Sequence, residues 1–184
     1  DLFPLMQKLF LKNCKYKMNL DFFKKIRILD GGMGQELLAR GMKPNSSLWS
    51  ANAILNEKYH QLVLDTHKDF IRAGAEVIVT TTFATRLKRL KENNIENKFE
   101  YLNKKAGEIA LNAKKEFNDV FVAGGLPPQN LTYEADERSE DEITKDFNEQ
   151  AKLLNPYVDF FYFDVWSSIK EVKCGITSIK EFKK

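Results

Sequence analysis

Four short apolar runs along the chain each end in a polar or glycine-rich cluster, and a segment with helical periodicity follows each run. The first run ends in Asp30, and three glycines follow within four positions. Apolar runs of this length, bounded by turn residues, are typical of buried β-strands. The predicted strands span residues 26–30, 76–82, 119–123 and 158–164.

The segments after the runs show the three- and four-residue apolar spacing of amphipathic helices. The first helix is predicted to start at Asn56 and stop at Gly74, and the second to span residues 98–117. The third and fourth open with Ser139 and Ser168, each followed three residues later by glutamate, which is the capping-box pattern. The fourth helix is predicted to bury Ile169, Val172, Ile176 and Ile179.

Strands that alternate with helices predict an α/β protein with a parallel sheet and right-handed crossovers. Such folds place their chemistry at the carboxyl ends of the strands, where the polar clusters of this chain gather. Four βα units are half of a closed (β/α)8 barrel, which needs eight units and about 250 residues. A doubly wound open sheet is the alternative, but Gly31, Gly32 and Gly34 lack the spacing of a dinucleotide fingerprint.

Length and composition describe one ordinary globular domain of 184 residues. The net charge is +3, and residues 1–27 carry seven basic and two acidic side chains. The rest of the chain is therefore near neutral and shows no basic patch of the kind that binds nucleic acids. No apolar run is long enough to cross a membrane as a helix. Two cysteines, Cys14 and Cys174, give no disulfide framework, which favours a reducing, cytoplasmic location.

Residues 1–17 are basic and partly apolar, and they differ in character from the repeating units. They are interpreted as upstream reading-frame sequence or a disordered tail, with a targeting leader as the alternative. Lys8 and Lys12 interrupt the apolar residues, so the segment has no secretory hydrophobic region. The predicted domain therefore starts at Met18.

Six motifs, in order and in register, resemble the homocysteine S-methyltransferase family. They are ILDGGMGQEL (28–37), LWSA (48–51), AGAEVI (73–78), TTTFA (80–84), VAGGLPP (122–128) and VDFFYFDVWSS (158–168). The family includes the betaine-dependent enzymes and the homocysteine-binding module of methionine synthase, and its fold is a (β/α)8 TIM barrel. The resemblance implies that residues 18–184 are the N-terminal half of a homocysteine-binding barrel domain.

The resemblance implies methyl transfer from a cationic or folate donor to the thiol of homocysteine, which yields methionine. A free thiol with a pKa of about 8.5 is only a few per cent thiolate at pH 7. The family activates it with zinc, held by three cysteine thiolates. Cys14 and Cys174 do not match those positions, so zinc is expected only for the full-length family. His60 and His67 lie roughly 10 Å apart along a helix axis, too far to share one ion.

Five residues are predicted to bind the amino-acid end of homocysteine. Asp30 is assigned to the substrate ammonium, with the Gly31 backbone beside it, and a capping aspartate is the alternative. Thr80 and Thr82 share one face of the second strand and are predicted to hydrogen-bond the substrate or else to fill a barrel interior. Asp164 stands where the family usually has glutamate. Its side chain is one methylene shorter, and in one interpretation a water molecule bridges the remaining distance to the substrate.

Three further features have predicted roles near the strand ends. Trp49 is predicted to face a donor cation through its ring, or else to act as a lid or packing residue. Gly124 and Gly125 are expected to shape the third strand-end loop and to contribute backbone groups. The basic run at residues 86–91 is expected to form a solvated face, which an anionic folate donor could contact.

Three hypotheses for the function stay open. The chain is a fragment of a zinc methyltransferase, or a non-catalytic half barrel that binds homocysteine or another amino acid. In the third hypothesis it works only with a complementing C-terminal half or by self-association, with two copies closing one eight-stranded barrel. The open edges of the first and fourth strands motivate this last hypothesis, because unpaired strand edges invite association. The sequence does not identify the methyl donor.

Overall fold

The structure, a computed structural model, describes residues 20–182 and 184. Its helices and strands are α1 (Met33–Ala39), α2 (Ala51–Leu55), α3 (His60–Arg72), β1 (Val77–Val79), α4 (Leu87–Glu92), α5 (Phe99–Lys114), β2 (Phe121–Leu126), α6 (Glu140–Leu154), β3 (Phe160–Phe163) and α7 (Ile169–Ile179). The predictions for residues 1–17, Cys14 included, lie outside the described residues. None of the described helices is long and apolar enough to cross a membrane.

The three strands form one parallel sheet in the order β1, β2, β3. Val77 of β1 lies opposite Phe121 of β2, and Ala123 of β2 lies opposite Phe160 of β3. The central strand β2 is buried along its whole length, as expected for a parallel strand. The predicted α/β class with parallel strands is therefore confirmed.

The first predicted strand, at residues 26–30, is reduced to a single parallel bridge between Leu29 and Val77. The backbone N–H of Asp30 donates to the carbonyl of Val77 at 2.9 Å. Ile26 is 92% exposed, because no described element packs on the other side of this segment. The backbone N–H of Ile28 donates to the side-chain carboxylate of Glu76 at 3.3 Å and not to a strand carbonyl, so only one bridge forms and the prediction of a full strand is wrong. The bridge still places Asp30 at the carboxyl end of the sheet.

The helices pack on one face of the sheet. Ile78 and Val122 point toward them and join Phe147 of α6 in the main apolar core. Because side chains alternate along a strand, the neighbouring residues Val77 and Phe121 point to the opposite face, where they form a smaller cluster. This arrangement, with helices outside and a second apolar face inside, is that of part of a barrel wall.

Most helix boundaries follow the predicted signals. Ser139 and Ser168 each accept a hydrogen bond from the backbone N–H three residues later, as a capping box requires. Gly74 follows α3 with a φ of 112°, a conformation that glycine adopts without strain. Asn56 occupies the N-cap position of a 3-10 turn, Glu57–Tyr59, which leads into α3 at residue 60, but its side chain makes no capping bond and donates to Asn52 instead.

The prediction for the buried face of α7 is wrong. Three of the four predicted residues are exposed: Ile169 (76%), Val172 (37%) and Ile176 (45%). Only Ile179 packs against the main core as predicted, and the buried residues of the helix are otherwise small or polar, among them Cys174, Gly175 and Ser178. Gly175 is needed there, since a Cβ at this position would lie 1.9 Å from the ring of Trp166. The exposed residues form an apolar stripe that no described element covers.

Candidate binding site at the strand ends

A cavity of about 360 Å³ opens at the carboxyl ends of the strands. Its wall is built from the segment after residue 29, the first turn of α1, the residues that follow β1, and the end of β3. All six residues that are predicted from the sequence to contact the substrate or the donor line this cavity: Asp30, Gly31, Trp49, Thr80, Thr82 and Asp164. The structure thus brings them together, while their roles in binding stay predictions.

Asp30 is the most buried carboxyl group of the cavity wall. Its side chain is 5% exposed, and its Oδ2 accepts a hydrogen bond from the backbone N–H of Val79 at 2.9 Å. Burial raises the pKa of Asp30 to about 7, against the opposing effect of this hydrogen bond and with a smaller rise from the charge of Asp164. Asp30 is therefore divided between carboxylic acid and carboxylate near neutral pH.

A second carboxyl group, that of Asp164, follows β3 directly, and burial raises its pKa as well. Tyr162 lies two residues earlier and also lines the cavity. The pKa of this phenol is raised by burial and by the charges of Asp164 and Asp30. No lysine or arginine is among the described residues that line the cavity. Two carboxyl groups without a counter-ion make the wall complementary to a cation.

Thr80 and Thr82 form a closed hydrogen-bond circuit with Gly125 of β2. The N–H of Gly125 donates to Thr80 Oγ1 at 3.0 Å, the two hydroxyl oxygens are 2.9 Å apart, and Thr82 Oγ1 donates to the Gly125 carbonyl at 2.7 Å. Because Thr82 gives its only hydrogen to Gly125, the hydrogen between the two hydroxyls comes from Thr80. Neither hydroxyl keeps a hydrogen for a ligand, and both can only accept.

Gly124 and Gly125 lie inside β2, not in the predicted loop. Pairing of Gly125 with Tyr162 of β3 keeps the backbone extended at this position. A Cβ on Gly125 would lie 2.9 Å from the side chain of Val79 and 3.2 Å from Thr82 Oγ1. The glycine therefore lets β1 and β2 approach closely enough for the hydroxyl circuit to close.

The rim of the cavity also depends on close glycine contacts. A Cβ on Gly31 would lie 2.7 Å from the ring of Phe70, and one on Gly34 would lie 2.5 Å from the indole nitrogen of Trp49. Trp49 itself has a φ of 48°, in the left-handed region that residues with side chains rarely adopt. The indole is thus held against the first turn of α1, where it forms one side of the cavity.

The basic run at residues 86–91 is not a uniformly solvated face, as the sequence had suggested. Arg86 is 6% exposed, and burial lowers the pKa of its guanidinium. Lys88 donates a hydrogen bond to Asn130, and Arg89 donates to a backbone carbonyl in the loop before α2. The side chains of this run therefore link α4 by hydrogen bonds to two loops, the one that contains Asn130 and the one before α2.

The described residues do not supply the metal site that the resemblance implies. Among them there is no group of three or more histidine, cysteine, aspartate or glutamate side chains arranged to hold an ion. Cys174 is 3% exposed and packs in the main apolar core. His60 lies 2.8 Å from the carbonyl of Ile54 through its Nε2. A set of three thiolates does not fit these residues, so no step of the chemistry is assigned to a metal in this part of the chain.

Sequence reasoning missed two residues of this site. Tyr162 carries a readable signal, because it lies two positions before Asp164 on β3 and therefore shares its side of the strand. His67 is fully buried and packs beside Asp30 and Thr81. Its contact joins a helix to two strand ends, and no local sequence pattern reports such a contact.

Comparison with known proteins gives one consistent result. Residues 27–184 match the family described as Homocysteine S-methyltransferase. Homocysteine S-methyltransferase 2 of Saccharomyces cerevisiae is 37% identical over 78 residues, which are 38% of this chain and 24% of the yeast protein. Homocysteine S-methyltransferase 2 of Zea mays is 34% identical over 104 residues, which are 56% of this chain and 30% of the maize protein.

Among solved structures, the metallated form of the homocysteine methyltransferase MmuM from Escherichia coli has a TM-score of 0.78 to this chain at 21% sequence identity. The match covers 91% of this chain and 64% of that chain. At this level of identity the likeness shows the fold alone, which is that of a TIM barrel. The curated relatives are much longer than the matched segment, which spans 24% of the yeast protein and 30% of the maize protein.

Proposed function

We propose that this chain, which belongs to the homocysteine S-methyltransferase family, binds the amino-acid end of homocysteine in the cavity at its strand ends. The observation that carries the proposal is the character of the cavity's side chains. Asp30 and Asp164 are carboxyl groups without a counter-ion among the described lining residues, and the hydroxyls of Thr80 and Thr82 have no free hydrogen. Such a wall accepts hydrogen bonds and favours a ligand that donates them.

An α-ammonium group matches this wall, since it carries one positive charge and three N–H donors. In the proposed complex it lies between the carboxylates of Asp30 and Asp164, and the remaining N–H points to a threonine lone pair. The backbone of Gly31 lies beside Asp30 on the cavity wall. Asp164 is one methylene shorter than the glutamate expected from the resemblance, so a bridging water completes its contact.

The activity proposed for the family member as a whole is S-methylation of homocysteine. In this proposal the described residues bind and orient the substrate, and the group that activates the thiol lies elsewhere. The proposal thus favours a substrate-binding half barrel over a chain that catalyses methyl transfer by itself. Zinc belongs to the proposed complete enzyme, and the described residues are not proposed as its ligands.

The proposed partner is the complementary half of the barrel, and a second copy of this chain is the alternative. The support is the apolar stripe of α7 together with the exposed segment at residues 26–29. Among the described residues, the sheet has unpaired edges at β3 and at the segment beside β1. Unpaired backbone groups next to exposed apolar side chains favour the addition of further strands.

The test is calorimetric titration of the chain with L-homocysteine under reducing conditions. We expect binding that Asp30→Asn weakens by about tenfold or more, because a hydrogen-bonded charge pair contributes about 1.5–3 kcal/mol. Asp159→Asn is the matched control. Asp159 also accepts a hydrogen bond from a strand N–H, that of Val122, and does not line the cavity. Equal affinity in both variants would contradict the proposal.

A ligand analogue tests the ammonium assignment separately. 4-Mercaptobutanoate keeps the thiol and the carboxylate of homocysteine but lacks the amine. We expect no measurable binding, because its carboxylate would face two carboxyl groups, and no lysine or arginine is among the described lining residues to balance its charge. Binding as tight as that of homocysteine would show that the cavity does not recognise the ammonium.

A further inference from the structure

The imidazole of His67 lies beside the cavity, next to Asp30, and the proposed function does not use it. The side chain is fully buried in α3, and its Nδ1 has no hydrogen-bond partner among the described residues. Nδ1 lies 3.8 Å from Asp30 Oδ2, and Nε2 lies 3.4 Å from Thr81 Oγ1. A buried polar atom without a partner costs free energy, so its orientation toward a carboxyl oxygen needs a reason.

We propose that His67 is the positioning residue of Asp30, and that its ring serves both protonation states of this carboxyl by changing tautomer. The inference rests on the proposed function only for the identity of the ligand. The inference is based on the arrangement of three side chains, in which the His67 ring lies between the carboxyl group of Asp30 and the hydroxyl group of Thr81. His67 does not touch the ligand in this scheme and acts through Asp30.

The two tautomers match the two states of Asp30. When Asp30 is a carboxylic acid, its O–H donates to Nδ1, and the ring's own proton sits on Nε2 and faces the Thr81 oxygen. When Asp30 loses its proton to solvent, the ring proton sits on Nδ1 and donates to the carboxylate. Nε2 then accepts from the Thr81 hydroxyl, which can donate or accept. The ring carries one proton in both states, so it never places a charge in the core.

The distances in the structure are compatible with a contact that closes in either state. At 3.8 Å the Nδ1 to Oδ2 separation exceeds a hydrogen bond by less than 1 Å. The N–H of Val79 holds the same oxygen at 2.9 Å, which fixes the direction from which the ring must approach. Burial lowers the pKa of His67 to about 4, so the ring stays neutral over the range in which Asp30 titrates.

The other ionisable groups near Asp30 come from the end of β3. Tyr162 and Asp164 line the cavity opposite it, and the charge of Asp164 contributes to the raised pKa of Asp30. From β1 only the backbone N–H of Val79 contacts the carboxyl, and the part of α1 that lines the cavity has no titratable side chain. His67 is therefore the only titratable group among these that lies behind Asp30 in the core.

Ligand binding and tautomer are linked in this scheme. An ammonium group in the cavity favours ionised Asp30, and the Nδ1–H tautomer then supplies a second donor to the carboxylate beside that of Val79. The carboxylate is held by two donors from the protein and presents its remaining lone pairs to the ligand. Substitutions at His67 should therefore alter the pH at which the ligand binds, as well as the affinity.

The first test needs no ligand. The ring nitrogens of neutral histidine have well-separated ¹⁵N shifts that identify the tautomer, and the sequence contains only two histidines. His60→Gln assigns the two sets of signals. We expect His67 to stay neutral from pH 5 to 9 and to change tautomer with the midpoint of Asp30, a change that Asp30→Asn abolishes. A single tautomer throughout, or a midpoint that persists in Asp30→Asn, overturns the proposal.

The second test uses two variants, each of which places an amide group near the position of one of the two ring nitrogens. The side-chain amide of Asn reaches about as far as Nδ1, and that of Gln about as far as Nε2. We expect His67→Asn to keep the affinity for L-homocysteine within about threefold, and His67→Gln to weaken it about tenfold with its pH optimum displaced. Thermal unfolding of both variants identifies loss of fold. Equal affinities in two folded variants would contradict the proposal.

The two tests separate this inference from the proposed function. If the chain does not bind homocysteine but His67 changes tautomer with Asp30, the proposed function fails and the inference stands. If homocysteine binds and depends on Asp30, while the ring keeps one tautomer and both His67 variants bind equally, the inference fails and the proposed function stands.

Discussion

At the scale of single residues, Asp30 and His67 make the stability of the chain depend on pH in opposite directions. The pKa of Asp30 rises to about 7 on folding, so the folded state holds this proton more tightly than the unfolded state does. The free energy of unfolding therefore falls as pH rises from about 4 to 7. The pKa of His67 falls to about 4 on folding, so its contribution is lost as pH drops from about 6.5 to 4.

These opposite signs predict distinguishable pH profiles for two variants. Relative to the unsubstituted chain, Asp30→Asn should gain free energy of unfolding as pH rises from 4 to 7, because its amide does not titrate. His67→Asn should gain it as pH falls from 6.5 to 4, for the same reason. Urea unfolding at a series of pH values measures both profiles. Parallel profiles for the two variants would contradict the assignment of either pKa.

The same scale shows what the sequence reveals about the site and what it does not. The sequence places Asp30, Thr80 and Asp164 at strand ends, since a strand that stops at a polar residue is a local pattern. It does not reveal that the Thr80 and Thr82 hydroxyls are both used by Gly125, because this depends on the register between β1 and β2. It does not reveal His67 for a similar reason, as the contact with Asp30 joins distant parts of the chain.

At the scale of elements, α7 shows how a tertiary contact overrides a helical pattern. Spacing alone assigns its large apolar residues to the core, yet the core face carries Gly175, because the indole of Trp166 occupies the space there. Trp166 stacks on Phe163 with ring centroids 4.0 Å apart and donates to the carbonyl of Leu126 at 2.6 Å. The bulky side chain at this contact is thus Trp166, from the segment before the helix, and Gly175 of the helix leaves the space that its ring occupies.

Gly175→Ala tests this packing. Alanine favours a helix over glycine by about 1 kcal/mol, so an open site would gain stability. Here the added Cβ meets the Trp166 ring, and we expect a net loss of about 1–3 kcal/mol from overpacking, together with a changed tryptophan fluorescence spectrum. Lys173→Ala, at an exposed position of the same helix, is the control and should change neither quantity. A more stable Gly175→Ala variant would contradict the packing described for Trp166.

At the scale of the whole molecule, the helices and the parallel sheet follow from the sequence, but the extent of the first strand does not. Capping residues and apolar periodicity are properties of one segment, and they place α3, α5 and α6 well. The extent of a strand depends on backbone pairing with a distant segment, and the segment at residues 26–30 makes only one bridge, between Leu29 and Val77. The exposed apolar residues of α7 and of this segment have the same origin, since each lies at an edge that no described element covers.

The alternative partner, a second copy of this chain, predicts self-association in solution through the apolar stripe of α7. The double variant Ile169→Lys/Ile176→Lys should shift the chain toward monomer in analytical ultracentrifugation, because charged side chains oppose burial of the stripe. Leu131→Lys is the matched control, as it adds charge at an exposed apolar residue of a loop. We expect it to leave the oligomeric state unchanged. A chain that is monomeric before any substitution would exclude self-association through this stripe and leave the complementary half as the partner.

The hydrogen bond between the N–H of Val79 and Asp30 Oδ2 makes this peptide group an intrinsic reporter of the cavity. Any change in the charge of Asp30, or any ligand that draws on the same oxygen, alters the shielding of this one amide proton and its exchange with deuterium. Its backbone resonance therefore offers a signal, without a label, against which libraries of small amines could be screened.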